Sequence, residues 1–286
     1  MDKIYKTAFI DRFIFHTRTV QNNMIILENN LSKLYLKIKP FQLLERSLYH
    51  DLDKLEPSLI YAYVEYTKYF YNKNFGVEYI FDKQKCREIT EKHYNNQRHH
   101  FYKNNKIPNI IDICEMCCDV TAISIEKKEK NNTFYYKNCM LKEYNNIKNY
   151  NAIILFIFNI LWKLLKTPTY NDGEKYFFIK NRMEKIRQFQ DAMIFLEKNN
   201  DKLPFKINDY EIIRKALIID KKYLYNDYNF FDFNKNKIDE LDICIFCCEY
   251  FMNKNNNLNY LLEKNENLKK FKNSISKILR ILDIGM

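Results

Sequence analysis

Tyr49-His50-Asp51-Leu52-Asp53-Lys54 sets an imidazole and a carboxylate on neighbouring residues, with a lysine close behind. Such a pair can bind one metal ion or serve two adjacent ones. The chain has five histidines, His16, His50, His93, His99 and His100, and none follows His100 in a sequence of 286 residues. A single site that collects them explains this clustering better than random scatter. Glu115 and Asp119 lie four apart, on one face of a helix, and add further carboxylates.

Working outward from this stretch, the apolar residues recur at helical spacing. Ile10, Phe13, Ile14, Val20, Met24 and Leu27 predict a helix over 4–30 with His16 at its buried face. Leu43, Leu44 and Leu48 lead into His50, and on a continuing helix His50, Asp51 and Lys54 would converge on one pocket. Helices are expected over 58–71, over 83–94, delivering His93, and over 110–125, where Ile111, Cys114, Cys118 and Ala122 form an inward stripe. Hydrophobic residues make up 47% of the chain, enough for a substantial core. Only three glycines occur, which excludes a phosphate-cradling P-loop and a dinucleotide fingerprint and favours an all-α protein.

The formal net charge is +11, but the basic residues are interleaved with Asn, Glu and Asp and form no dense block. Specific nucleic-acid binding is therefore the weaker reading, and a phosphorylated small molecule would profit equally from the field. The opening residues, Met1-Asp2-Lys3-Ile4-Tyr5-Lys6, are charged and lack an apolar leader. The eight cysteines are accordingly read as free thiols in a reducing cytoplasm. Cys114/Cys117/Cys118 and Cys244/Cys247/Cys248 both spell C-x-x-C-C, a zinc-like spacing. At i, i+3 and i+4 of a helix, buried packing is the favoured reading. The longest apolar run, 152–165, is broken by Asn159 and Lys163 and is too short to span a membrane.

Asp112-Ile113-Cys114-Glu115-Met116-Cys117-Cys118-Asp119 reappears as Asp242-Ile243-Cys244-Ile245-Phe246-Cys247-Cys248-Glu249. Carried upstream in one register, His99-His100 falls on Phe230-Phe231, and the His50 stretch falls on Asn181-Arg182-Met183-Glu184-Lys185. Phe13-Ile14-Phe15-His16 pairs more loosely with Phe156-Ile157-Phe158-Asn159. A tandem duplication follows as the expectation: a metal-binding helical domain over 1–145, then a degenerate helical repeat over 146–286 that lost the ligands.

The first half resembles the HD superfamily of metal-dependent phosphohydrolases, through His16, the His50-Asp51 doublet and Asp119. Lys54 completes the HDxxK form found in two-metal members, and His93 with His99 or His100 matches their added histidines. Residues 16–122 look more closely like a poorly characterised branch of bacteria and large DNA viruses, with the pattern HDxSK, H, HH, EMxxDW. Here Asp53 replaces the Ser, Phe101-Tyr102 replaces a Pro-Glu, and Val120 replaces the Trp. The resemblance implies an all-α HD-like fold and one or two divalent transition-metal ions (Mn, Fe, Co, Ni or Zn), for which imidazole and carboxylate donors are suited. It also implies hydrolysis of a phosphoester, a nucleotide or related metabolite, by metal-activated water. Lys54 and Arg98 would meet the phosphate, and Glu115 would orient a ligand histidine or act as a base. The ligand set also resembles HD-related di-iron oxygenases. A non-enzymatic scaffold, viral in origin and working in the host cytoplasm, is the remaining alternative. The second copy fits either story, as a lid or homodimer surface for an enzyme or as a sign that the lineage tolerates loss of chemistry.

Overall fold

The computed structural model describes residues 3–31, 37–39, 41–166, 174–218, 230–232, 235, 237–253 and 257–286, with backbone alone over 174–181. The chain is all-α, and no strand occurs among the described residues. It divides into two compact units, Met1–Asn171 and Asp172–Met286. The boundary therefore lies beyond the expected 145/146. The apolar helix Asn151–Lys166 belongs to the first unit, because Ile154, Ile157, Phe158 and Leu161 are buried in the first core.

In the first unit, α1 (Lys3–Glu28) buries Phe9, Ile10, Phe13, Val20, Met24 and Leu27 along one stripe. It packs against α2 (Gln42–Ser47), α3 (Pro57–Asn74), α5 (Ile110–Glu126) and α6 (Asn151–Lys166). Asp82 caps α4 (Lys83–Asn96) by accepting from the Lys85 amide. A capping box opens α5: Asn109 accepts from the Asp112 amide, and Asp112 accepts from the Asn109 amide. That box starts the helix at one register, so Glu115 and Asp119 face the site while Cys114, Cys117 and Cys118 enter the core.

One local expectation is corrected. The helix carrying Leu43 and Leu44 ends at Ser47, and Asp51 takes a left-handed conformation with φ 61° before a 3₁₀ turn over Leu52–Leu55. His50 and Lys54 therefore do not share a helix face. Aspartate tolerates this backbone region better than most residues do. The reversal points both His50 and Asp51 inward, each 1% exposed.

The second unit reproduces details of the first. Glu28 accepts from the amides of Phe41 (2.5 Å) and Leu43 (2.9 Å), and Glu197 accepts from those of Tyr210 (2.8 Å) and Ile212 (3.0 Å). Phe41 and Tyr210 are both left-handed, with φ 69° and 70°. Asp239 and Asp242 rebuild the capping box, and the Cys247 thiol donates to Ile275 O as Cys117 does to Ile154 O. These correspondences pair α7 (Glu174–Lys198) with α1, α8 (Glu211–Leu217) with α2, α9 (Glu240–Met252) with α5 and α10 (Lys272–Gly285) with α6. They overturn the single register carried upstream from the cysteines. Asn181–Lys185 lies in the counterpart of α1, and Phe156–Asn159 lies within the first unit. Residues 218–239 are too few to hold counterparts of both α3 and α4, of 18 and 14 residues, so one register cannot run through both units. His50-Asp51 falls on Ile219-Asp220, outside the described residues. Phe230 stacks on Phe189 with ring centroids 4.0 Å apart, and Phe231 is buried.

Glu249 stands where α5 has Asp119, and accepts from the Phe231 amide at 2.6 Å. Burial pushes its carboxyl up to about 7, against the amides of Phe231 and Phe230 that favour the ionised form. A raised carboxyl favours folding below its unfolded value of 4.5, and the contribution is lost as pH rises through about 7. Glu249→Gln is thus expected to stabilise the protein at pH 8.5 by up to about 2 kcal/mol and to change little at pH 5, as read by urea denaturation at both pH values.

Candidate metal centre

Five segments of the first unit meet at Asp51. α1 brings His16, the turn after α2 brings His50 and Asp51, and α4 brings His93. The 3₁₀ turn Arg98–His100 brings His99 and His100, and α5 brings Asp119. The two oxygens of Asp51 serve different neighbours. Oδ2 lies 3.3 Å from His50 Nε2 and 3.6 Å from His16 Nε2, while Oδ1 lies 3.4 Å from His93 Nε2 and 3.6 Å from His99 Nε2. Asp119 Oδ1 stands 3.1 Å from His16 Nε2, and the Nε2 atoms of His93 and His100 are 3.0 Å apart. Potential donors fall into overlapping groups: His16, His50 and Asp51; His50, His99 and Asp119; and Asp51, His93, His99 and His100. Separations of this size suit atoms sharing one ion bonded at about 2.1 Å.

The inward atoms lack other partners. His50 Nε2, Asp51 Oδ1 and His99 Nε2 are buried and make no hydrogen bond. Orphaned buried polar atoms are costly, and a bound cation is one of the few things that satisfies several together. The residues thus fit a divalent ion, with Asp51 offering one oxygen to each of two positions.

The outward nitrogens are held from behind. Glu115 Oε1 lies 3.0 Å from His50 Nδ1 and 3.2 Å from His99 Nδ1, the second outside hydrogen-bond geometry, and Arg46 Nε donates to Glu115 Oε2 at 2.5 Å. Asp53 lies 2.9 Å from His93 Nδ1, and the Tyr102 hydroxyl lies 3.1 Å from His100 Nδ1. An ionised carboxylate only accepts, so Glu115 and Asp53 favour the proton on Nδ1 and leave Nε2 free to ligate. The electrostatics agree. Burial lowers His93 and His100 below the usual imidazole range, keeping them neutral. Burial opposes ionisation of Asp51 and Asp119, but the surrounding cations win: His50 and Lys54 hold Asp51 well below the carboxylate range, and His16 brings Asp119 to about 2. Burial also disfavours His50 protonation, yet Asp51 and Glu115 push its pKa up to about 10, which measures how much negative potential the pocket directs at a cation.

A cavity of about 280 Å³ opens beside His16, His100 and Asp119. Lys54 lines it and contacts Asp51, with its Nζ 5.2 Å from the Tyr63 ring centre. Two residues expected in the pocket stand elsewhere. Arg98 turns away to clasp Asp112 (2.7–3.1 Å) at the capping box, and its side chain is 44% exposed. Glu115 is 1% exposed and is not among the residues lining the cavity. His99 and His100, between which the sequence left the ligand open, both join the donor cluster, and His100 alone of the two lines the cavity. Sequence reading missed Arg46, Tyr63, Tyr102 and Lys103, and passed over Asp53 as a ligand support. The His93–Asp53 pair spans forty residues, and no spacing rule announces such a contact. No cysteine enters a potential metal group among the described residues, and Cys114, Cys117, Cys118, Cys244, Cys247 and Cys248 are buried free thiols.

Fold and site together define an all-helical protein with a buried His/Asp cluster able to hold a metal ion. The chain belongs to a family of unknown function, DUF5662, whose model matches residues 6–160. That segment contains every residue of the cluster and ends within α6, inside the first unit. No curated protein and no solved structure matches the chain. Among the described residues, no helix is long and apolar enough to cross a membrane.

Proposed function

We propose that this chain is a metal-dependent phosphohydrolase of the HD type, acting on a small phosphorylated molecule. The observation that carries the reading is Asp51, whose two oxygens face two sets of imidazole nitrogens while His50 Nε2, Asp51 Oδ1 and His99 Nε2 have no hydrogen-bond partner. His16, His50, Asp51 and Asp119 would hold one ion, and Asp51, His93, His99 and His100 a second. When bound, such ions supply Lewis acidity toward a phosphoryl oxygen and lower the pKa of water. Lys54 contributes a cation where the cluster meets the cavity and offsets phosphate charge. The aromatic walls exclude bulk water, which strengthens every charge interaction within. A cavity of about 280 Å³ suits a small molecule better than a polymer.

The test is elemental analysis of untagged protein, followed by hydrolysis of p-nitrophenyl phosphate with Mn²⁺ or Co²⁺ under argon. One or two equivalents of metal and argon-tolerant turnover are expected. Turnover that requires Fe and consumes O₂ would reassign the site to oxygenase chemistry. Protein that binds none of Mn, Fe, Co, Ni or Zn when offered them would sink the enzymatic reading.

A further inference from the structure

Three cations line the cavity, and two are already engaged. Lys54 contacts Asp51, and Arg12 Nε donates to Glu126 at 2.9 Å. Lys103 is different. Its ammonium sits 3.3 Å from the centre of the Tyr94 ring, and no carboxylate among the described residues lies within ion-pair distance of it. Asp119 and Glu143 attract it only from farther away, and burial lowers its pKa to about 8. A half-buried lysine that keeps its charge without a counter-anion is ready to receive one from a ligand. The walls around it supply flat apolar surface, with Phe9, Phe13, Tyr66, Phe70, Tyr94 and Tyr135 all facing the cavity. Tyr63, also in the wall, has a buried hydroxyl with no hydrogen-bond partner. The volume is sufficient for one ring and one phosphate-sized group.

We propose that Lys103 is the specificity-determining cation of this cavity, binding the anionic group of a small phosphate ester whose organic part is a single flat ring held by the aromatic walls. The inference rests on the hydrolase reading for the word ester, while the binding it describes can be measured without turnover.

The probe is phenylphosphonate, whose P–C bond resists hydrolysis, titrated calorimetrically into the full chain with methylphosphonate as the ringless control. Metal content is measured on the same samples. Wild type is expected to bind phenylphosphonate at least tenfold more tightly than methylphosphonate. Lys103→Met should weaken phenylphosphonate at least tenfold, and Lys103→Arg should stay within about threefold of wild type, since the charge is kept. Metal content should be equal in all three. Equal affinity in wild type and Lys103→Met overturns the proposal, as does equal loss in the Met and Arg variants or no preference for the ring. If Lys103-dependent binding appears in protein that takes up no metal, the inference stands and the hydrolase reading falls. If metal and turnover are present and Lys103→Met binds as wild type, the reverse holds.

Discussion

Asp51→Ala is expected to empty both metal positions together, whereas Asp119→Ala and His93→Ala should each remove one. The asymmetry follows from Asp51 alone turning an oxygen to each set of histidines: Oδ2 toward His16 and His50, Oδ1 toward His93 and His99. Asp119 approaches His16 at 3.1 Å, and His93 approaches His100 at 3.0 Å, on separate sides of that carboxylate. Elemental analysis of the three variants beside wild type reads the difference directly. Phosphatase activity should fall at least a thousandfold in Asp51→Ala, consistent with losing Lewis-acid stabilisation worth several kcal/mol. Equal metal loss in all three variants would show one indivisible site. Retention in Asp51→Ala would remove Asp51 from its central place.

Glu115→Ala should produce the largest stability loss of any single change in the first unit. The carboxylate is 1% exposed and simultaneously meets His50, His99 and Arg46. Deleting it removes the acceptor shared by these three groups and leaves Arg46 only its longer contact with Asp112, a loss that for a buried charge typically costs about 3–5 kcal/mol. Its burial would raise the pKa, but His99 and His50 hold it far below the usual carboxylate range. A depressed carboxyl contributes stability that is complete above the unfolded value and is lost as pH falls beneath it. The gap between wild type and Glu115→Ala, measured by urea denaturation of metal-free protein, should therefore be full at pH 7 and narrow below about pH 4. Glu115→Gln keeps the shape but can no longer favour the proton on both Nδ1 atoms, and metal affinity should fall about 10- to 100-fold. A Gln variant with wild-type affinity would show that Glu115 serves packing alone.

The second unit clarifies what the site requires. It keeps the buried Glu197 contacts to the start of α8, the capping box of α9 and the cysteine-to-carbonyl contact between α9 and α10, which hold the helices together without a metal ligand. Between α8 and α9 it has too few residues for counterparts of both α3 and α4, and there Phe230 stacks on Phe189 while Phe231 lies in the core.

The sequence determined what depends on residue type and short-range spacing. Apolar residues at three- and four-residue intervals made the chain all-α and placed α1, α3, α4 and α5 within a few residues of their observed ends. The confinement of all five histidines to the stretch before Phe101 pointed to one cluster. Small buried cysteines at i, i+3 and i+4 read as packing. What the tertiary structure alone decided is longer in range. The left-handed turn at Asp51 converts neighbouring side chains into a shared inward pair, where a helix would have splayed them. Arg98 is captured by Asp112 and leaves the cavity to Arg12, Lys54 and Lys103. Glu115 and Asp53 become supports because their partners come from distant segments. The unit boundary moved because α6 closes the first core. Helix periodicity is written into every few residues, but which carboxylate meets which imidazole is fixed only when separate helices pack and each buried charge takes the nearest partner that satisfies it.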